Sequence, residues 1–196
     1  PEFYKRLGDQ VVDLGIDGYV IPKAPADVFR AGQAAPLQMI VGSNARDGGQ
    51  PLQSVEAFYG KYPDLLERAV KIYGSRTVGA KGRAGTTGPI DPMYGSVDAQ
   101  VNLDFAQRCG SIAVSQWQSK IAPTYHYEFA IGTPEQLPVQ GAELAYVFGF
   151  LEKREPAALA PKLSLTLQQY WANFAKTGDP NASGLPAWPK YDMKTR

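Results

Sequence analysis

The run Leu37-Gln38-Met39-Ile40-Val41-Gly42 constrains what this chain can fold into more than any other stretch. It is short, apolar and bounded by Pro36 and Gly42, the pattern of a strand buried between helix layers in a parallel sheet. A central strand is predicted there. The next residues, Ser43-Asn44-Ala45-Arg46-Asp47-Gly48-Gly49, are polar and glycine-containing. They form a loop at the carboxyl end of that strand, where open α/β sheets place their functional groups. A second strand is predicted from Thr124 to Ala130, where Tyr125, Tyr127 and Phe129 alternate with His126 and Glu128.

Helical patterns separate and follow these strands. Leu65, Leu66, Ala69, Val70 and Tyr73 put an apolar stripe on a helix over Asp64 to Tyr73, and Val55 to Tyr59 has similar spacing. Residues Ala26 to Gly32 read as a short helix closed by its glycine, and Val97 to Lys120 as a long one that Pro123 stops. Ala142 to Phe150 is predicted helical, and so is Leu163 to Lys176, which ends at Gly178-Asp179-Pro180. Asp17-Gly18 marks a turn between short extended pieces, Val11 to Gly18 and Tyr19 to Pro22. The glycine-rich stretch from Gly74 to Gly95 reads as a long loop. Strand, acid-bearing loop, helices, strand, loop, helix is an α/β order.

With 196 residues the chain is long enough for one domain with a sizeable core. Twenty basic and 19 acidic residues give a net charge of +1, which leaves no electrostatic footprint for nucleic acid or an anionic membrane. Cys109 is the only cysteine, so an internal disulfide framework and a thiolate metal cluster are excluded. No apolar run reaches the roughly 18–20 residues a membrane span needs. The opening Pro1-Glu2-Phe3-Tyr4 has neither an initiator Met nor a signal-peptide core, so the sequence reads as part of a longer product.

Four motifs carry a resemblance. Tyr170-Trp171-Ala172-Asn173-Phe174-Ala175-Lys176-Thr177-Gly178-Asp179-Pro180-Asn181, followed by Trp188-Pro189-Lys190-Tyr191, is the most specific of them. The others are Asp17-Gly18-Tyr19-Val20-Ile21-Pro22, Gly42-Ser43-Asn44-Ala45-Arg46-Asp47-Gly48, and Gly141-Ala142-Glu143-Leu144-Ala145-Tyr146-Val147-Phe148-Gly149. In this order they resemble the type-B carboxylesterases and cholinesterases. The resemblance covers nearly the whole chain and is weakest from Gly74 to Gly95. It implies the C-terminal portion of a single α/β-hydrolase domain over residues 1–196, with a mostly parallel sheet and helices on both faces. It also implies a serine esterase that needs no metal or organic cofactor and acts on a small carboxylic ester.

The resemblance assigns roles residue by residue. The family pattern Gly-x-Asn-x-Asp-Glu-Gly puts Asp47 at the place of the triad acid, one methylene shorter than the usual Glu, with Arg46 where an aspartate is usual. Either carboxylate can orient a histidine and stabilise its protonated form. On position alone Asp47 reads equally well as a turn cap or a partner of Arg46; the flanking motif favours the catalytic role. The family's His-Gly-x-Glu becomes Gln140-Gly141-Ala142-Glu143, and an amide cannot take a proton from serine and return it. Gln140 therefore stands at the histidine's place without a histidine's basicity. The only histidine, His126, lies inside the predicted strand, where a packed or hydrogen-bonded role is expected. Glu143 is read as a supporting, structural carboxylate.

No serine here is flanked by glycines in the Gly-x-Ser-x-Gly pattern, so the nucleophile and the oxyanion-hole glycines are expected upstream of Pro1, in a part of the same domain that would partner this chain. A short closing segment is expected after Arg196. The chain alone is expected to be inactive. Gln140 has three explanations: a change from histidine made by design, a natural feature of a non-catalytic cholinesterase-like binding or adhesion domain, or a base supplied from elsewhere. Asn181-Ala182-Ser183 fits a glycosylation sequon, but the terminal motif already accounts for Asn181.

Overall fold

The computed structural model describes residues 15–47, 63–73, 91–133, 137–150 and 160–194. The predicted helix at Val55 to Tyr59, the Val11 to Leu14 lead-in and most of the glycine-rich loop lie outside the described residues. Two parallel strands, β1 (Met39–Asn44) and β2 (Thr124–Phe129), run in register from Met39 opposite Thr124 to Asn44 opposite Phe129. Between them in sequence come α2 (Pro63–Tyr73), α3 (Val97–Leu103), a π turn (Asp104–Arg108) and α4 (Cys109–Gln118). A short α1 (Pro25–Arg30) precedes β1. A one-turn α5 (Leu144–Val147) and the long α6 (Ala160–Thr177) follow β2.

Alternation along β2 separates its two faces. Tyr125, Tyr127 and Phe129 turn toward α5 and α6, with ring centroids 6.1 Å from Phe174, 5.5 Å from Trp171 and 5.2 Å from Tyr146 respectively. His126 and Glu128 turn the other way and reach Ser115 and Arg108. The pair of strands is thus covered by helices on both faces, as a parallel pair requires. Close packing of the strands themselves depends on Gly42, because a Cβ there would lie 2.4 Å from both the ring and the carbonyl of Tyr127.

The β1 strand begins two residues later than predicted. The Gln118 side chain donates to the carbonyls of Ala35 (3.0 Å) and Leu37 (2.8 Å), so those oxygens serve helix packing instead of a strand ladder. At the other end the pairing continues through polar Ser43 and Asn44, which are the buried residues of the strand. Apolar Met39 to Val41 are only partly buried. Among the described residues β1 pairs on one edge only.

The predicted helix from Ala142 to Phe150 contracts to the single turn of α5. Gly141, at φ +81°, and the bonds Ala142 N–H to Val139 (3.0 Å) and Leu144 N–H to Gly141 (3.1 Å) make its first part a chain of turns, and Gly149, at φ +72°, ends it. Asp17 forms the predicted turn by accepting at Oδ1 from the Tyr19 and Ile21 amides, each at 2.9 Å, but no strand forms beside it among the described residues. The terminal motif folds as a unit. Asn181 donates to Asp179 Oδ1 and to the Trp188 carbonyl and accepts from the Trp188 amide, so its side chain is engaged in folding the tail.

Candidate active site

Both strands end on the same side, and their following loops meet there. Arg46 and Val139 form a parallel bridge, with the Arg46 N–H 3.0 Å from the Pro138 carbonyl. Asp47 and Gln140 are the next residue on each loop. Each of the two positions expected from the sequence thus directly follows a residue of this isolated bridge between the loops.

Asn44 ties these loops together. It is buried at the end of β1, and its Nδ2 donates to the Val139 carbonyl (2.8 Å) and to Glu143 Oε2. Its backbone N–H donates to Asp47 Oδ2 at 2.8 Å, while the Asp47 N–H returns to the Asn44 carbonyl at 3.2 Å. Asp47 thus closes a tight turn on the strand end. Its other oxygen, Oδ1, is buried and takes no hydrogen bond among the described residues. Burial pushes the Asp47 carboxyl above its ordinary value, the Asn44 N–H pulls it back, and the charge of Glu143 adds a smaller push upward. Burial also raises the Tyr127 phenol, to about 12, with Glu143 and Asp47 contributing.

Gln140 is exposed at the head of the turn that Gly141 closes. Arg46 does not pair with Asp47; its Nη1 donates to the Tyr94 carbonyl at 2.9 Å. Glu143, read from the sequence as a support, holds Asn44. His126 lies in β2 with its ring against α4. Ser115 Oγ lies 2.9 Å from the Ser111 carbonyl and 3.0 Å from His126 Nδ1. The Tyr191 ring packs on that imidazole, 5.8 Å between centroids. His126 is a packed strand histidine on the face opposite Tyr127.

Asn44 belongs to the acid-loop motif. A polar residue ending an apolar strand was the available signal. A cavity of about 430 Å³ beside β2 and α6 includes Glu143 but neither Asp47 nor Gln140, so it lies apart from the paired loops. No helix among the described residues is long and apolar enough to cross a membrane.

Residues 98–196 match a family model described as the carboxylesterase family. This chain belongs to that family. Carboxylesterase 1F of Mus musculus is 32% identical over 212 residues, which cover 96% of this chain and 37% of that protein. Liver carboxylesterase of Sus scrofa is 28% identical, covering 91% of this chain and 35% of its own length. Among solved structures, a PNB esterase superposes with a TM-score of 0.69 at 21% identity, over 96% of this chain and 40% of that one. The carboxylesterase EST55 of Geobacillus stearothermophilus gives 0.57 at 22% identity, over 96% of this chain and 40% of its own. At those identities the structural likeness speaks for the fold, the C-terminal part of an α/β-hydrolase. The chain spans little more than a third of the length of these curated relatives.

Proposed function

We propose that this chain supplies two loops of a carboxylic ester hydrolase site, with Asp47 as the triad acid and Gln140 at the place of its histidine. The observation that supports the reading is the Arg46–Val139 bridge, which joins the loop after β1 to the loop after β2 at the residues just before Asp47 and Gln140. Asp47 Oδ1 supports it, since a buried carboxylate oxygen that no donor meets among the described residues is where an imidazole N–H would bind. In the whole protein a serine from the upstream part of the same domain attacks the ester carbonyl, backbone amides hold the oxyanion, and water then releases the acid. With an amide at position 140 the proton has no carrier, and turnover is impaired.

The test is Gln140→His in the full-length protein. A triad acts as a unit, and loss of its histidine costs about 10⁶ in kcat. The substitution is expected to raise turnover of a simple aryl ester by several orders of magnitude, and Asp47→Asn is expected to remove most of that gain by favouring the wrong imidazole tautomer. If both forms stay inactive while the upstream serine still reacts with an organophosphate, Gln140 marks a non-catalytic binding domain. If the protein with Gln140 already turns over quickly, the base lies elsewhere.

A further inference from the structure

Arg46 is where the acid loop departs from the esterase pattern, and its side chain leaves the loop for a separate turn. That turn is closed by the Asp91 N–H to the Gly95 carbonyl (3.1 Å) and the Gly95 N–H to the Asp91 carbonyl (2.8 Å). Asp91 Oδ1 also accepts from the amides of Met93 (2.8 Å) and Tyr94 (2.7 Å). These bonds leave the Tyr94 carbonyl facing Arg46 Nη1 at 2.9 Å. Gly95 is buried at φ +81°, and a Cβ built on it would fall 1.4 Å from Arg46 Nη1 and 2.5 Å from Cζ. The space a side chain would occupy is filled by the guanidinium.

The turn is in turn anchored to the sheet. The Tyr94 ring lies against the Arg108 guanidinium, 4.9 Å from Cζ to centroid. Arg108, on the π turn, pairs with Glu128 of β2 at 2.6 Å and with Asp104 at 2.5 Å. Tyr73 of α2 donates to the other Asp104 oxygen at 2.5 Å. Among the described residues, Asp47 itself is held by one N–H on one oxygen. The peptide before it is therefore gripped from two sides: its N–H by the Pro138 carbonyl, and its side chain by the 91–95 turn.

We infer that Arg46 is a positioning residue for Asp47, and that its guanidinium, seated in the notch left by Gly95 and held by the Tyr94 carbonyl, fixes the backbone of the acid loop. What Asp47 then does rests on the hydrolase reading above; the seat rests on the geometry. The action runs through the backbone, because the Arg46 side chain reaches the Tyr94 carbonyl and not the Asp47 carboxylate.

The test uses the full-length protein with Arg46→Met, Arg46→Lys, Gly95→Ala and the Arg46→Met/Gly95→Ala pair. Hydrogen exchange is read at the amides of residues 45–47, each of which donates a backbone bond, against those of residues 39–42 as an internal control. Arg46→Met and Gly95→Ala are each expected to speed exchange at 45–47 about tenfold relative to the control, the scale of one lost charge-assisted bond. The double variant is expected to be no faster at 45–47 than Arg46→Met, since both changes empty one seat. Arg46→Lys, which keeps a donor, should recover part of the protection.

Unchanged exchange in Arg46→Met, or additive effects in the double variant, would overturn the seat. In the Gln140→His protein, Arg46→Met is expected to lower kcat with KM nearly unchanged. Faster exchange with an undiminished kcat overturns the positioning role. If Gln140→His is itself inactive, the hydrolase reading fails, and exchange still decides whether Arg46 fixes the loop.

Discussion

Asp47 carries one oxygen bonded to the Asn44 amide and a second, buried oxygen that no donor meets among the described residues. Ionising such a group in the folded protein costs more than in the unfolded chain, and its folded pKa lies above the usual value. The native state then binds more protons than the unfolded one between the two pKa values, so stability falls as pH rises through that interval and stays lower at neutral pH. Asp47→Asn keeps an oxygen for the Asn44 N–H and removes the charge. It is expected to melt at a higher temperature than the parent at pH 7, with the difference shrinking as pH falls through the raised folded pKa towards about 4, below which the aspartate is protonated in both states. Thermal melts of the full-length protein across that range check it; an equal difference at both ends would mean the carboxylate is not ionised at a cost.

At the scale of elements, the tail folds back on β2 through Trp188. Its ring centroid lies 5.2 Å from Tyr170, 5.8 Å from Trp171 and 6.0 Å from Tyr125, and its indole N–H donates to the His126 carbonyl at 3.1 Å. Trp188→Ala is expected to cost about 3 kcal/mol in denaturant unfolding of the full-length protein. A cost under about 1 kcal/mol would mean the tail is an ornament on the sheet. Gly42→Ala should be destabilising by about 1–3 kcal/mol for the opposite reason, overpacking against Tyr127. These elements were legible because their signals are local: the aromatic alternation of β2, the apolar stripe of α2, the glycine and proline that end α6. The onset of β1 was displaced because Gln118, 81 residues from Leu37, takes the carbonyls that a strand would use. The turn at 91–95 was absorbed into a predicted loop, since its purpose appears only when Arg46, 48 residues from Tyr94, reaches it. The expectation for Asp47 and Gln140 came from the family resemblance of their motifs, whereas Asn44 acquires its role only through bonds to Val139 and Glu143 on the other loop.

The whole molecule presents a sheet of two strands among the described residues, with β1 paired on one edge. Tyr19 (91% exposed), Val20 (75%) and Leu37 (63%), which precede β1 in sequence, leave their apolar surface in solvent. Two parallel strands do not make an independently stable sheet, and an unpaired strand edge is a template for association, as exposed apolar groups are for aggregation. The chain covers 37% of carboxylesterase 1F, so the remainder of a family member has ample length to supply further strands. Produced alone, the 196-residue chain is therefore expected to associate with rising concentration, to bind ANS, and to show no ester hydrolysis. Co-production with the upstream part of the same protein should restore a monodisperse species, as seen by light scattering, because the added strands cover the β1 edge. A monomeric chain that unfolds cooperatively by itself would mean that α4 and α6, packed on opposite faces of the strand pair, suffice to hold it. In that case the assignment of these residues as one part of a single folding unit would have to be given up.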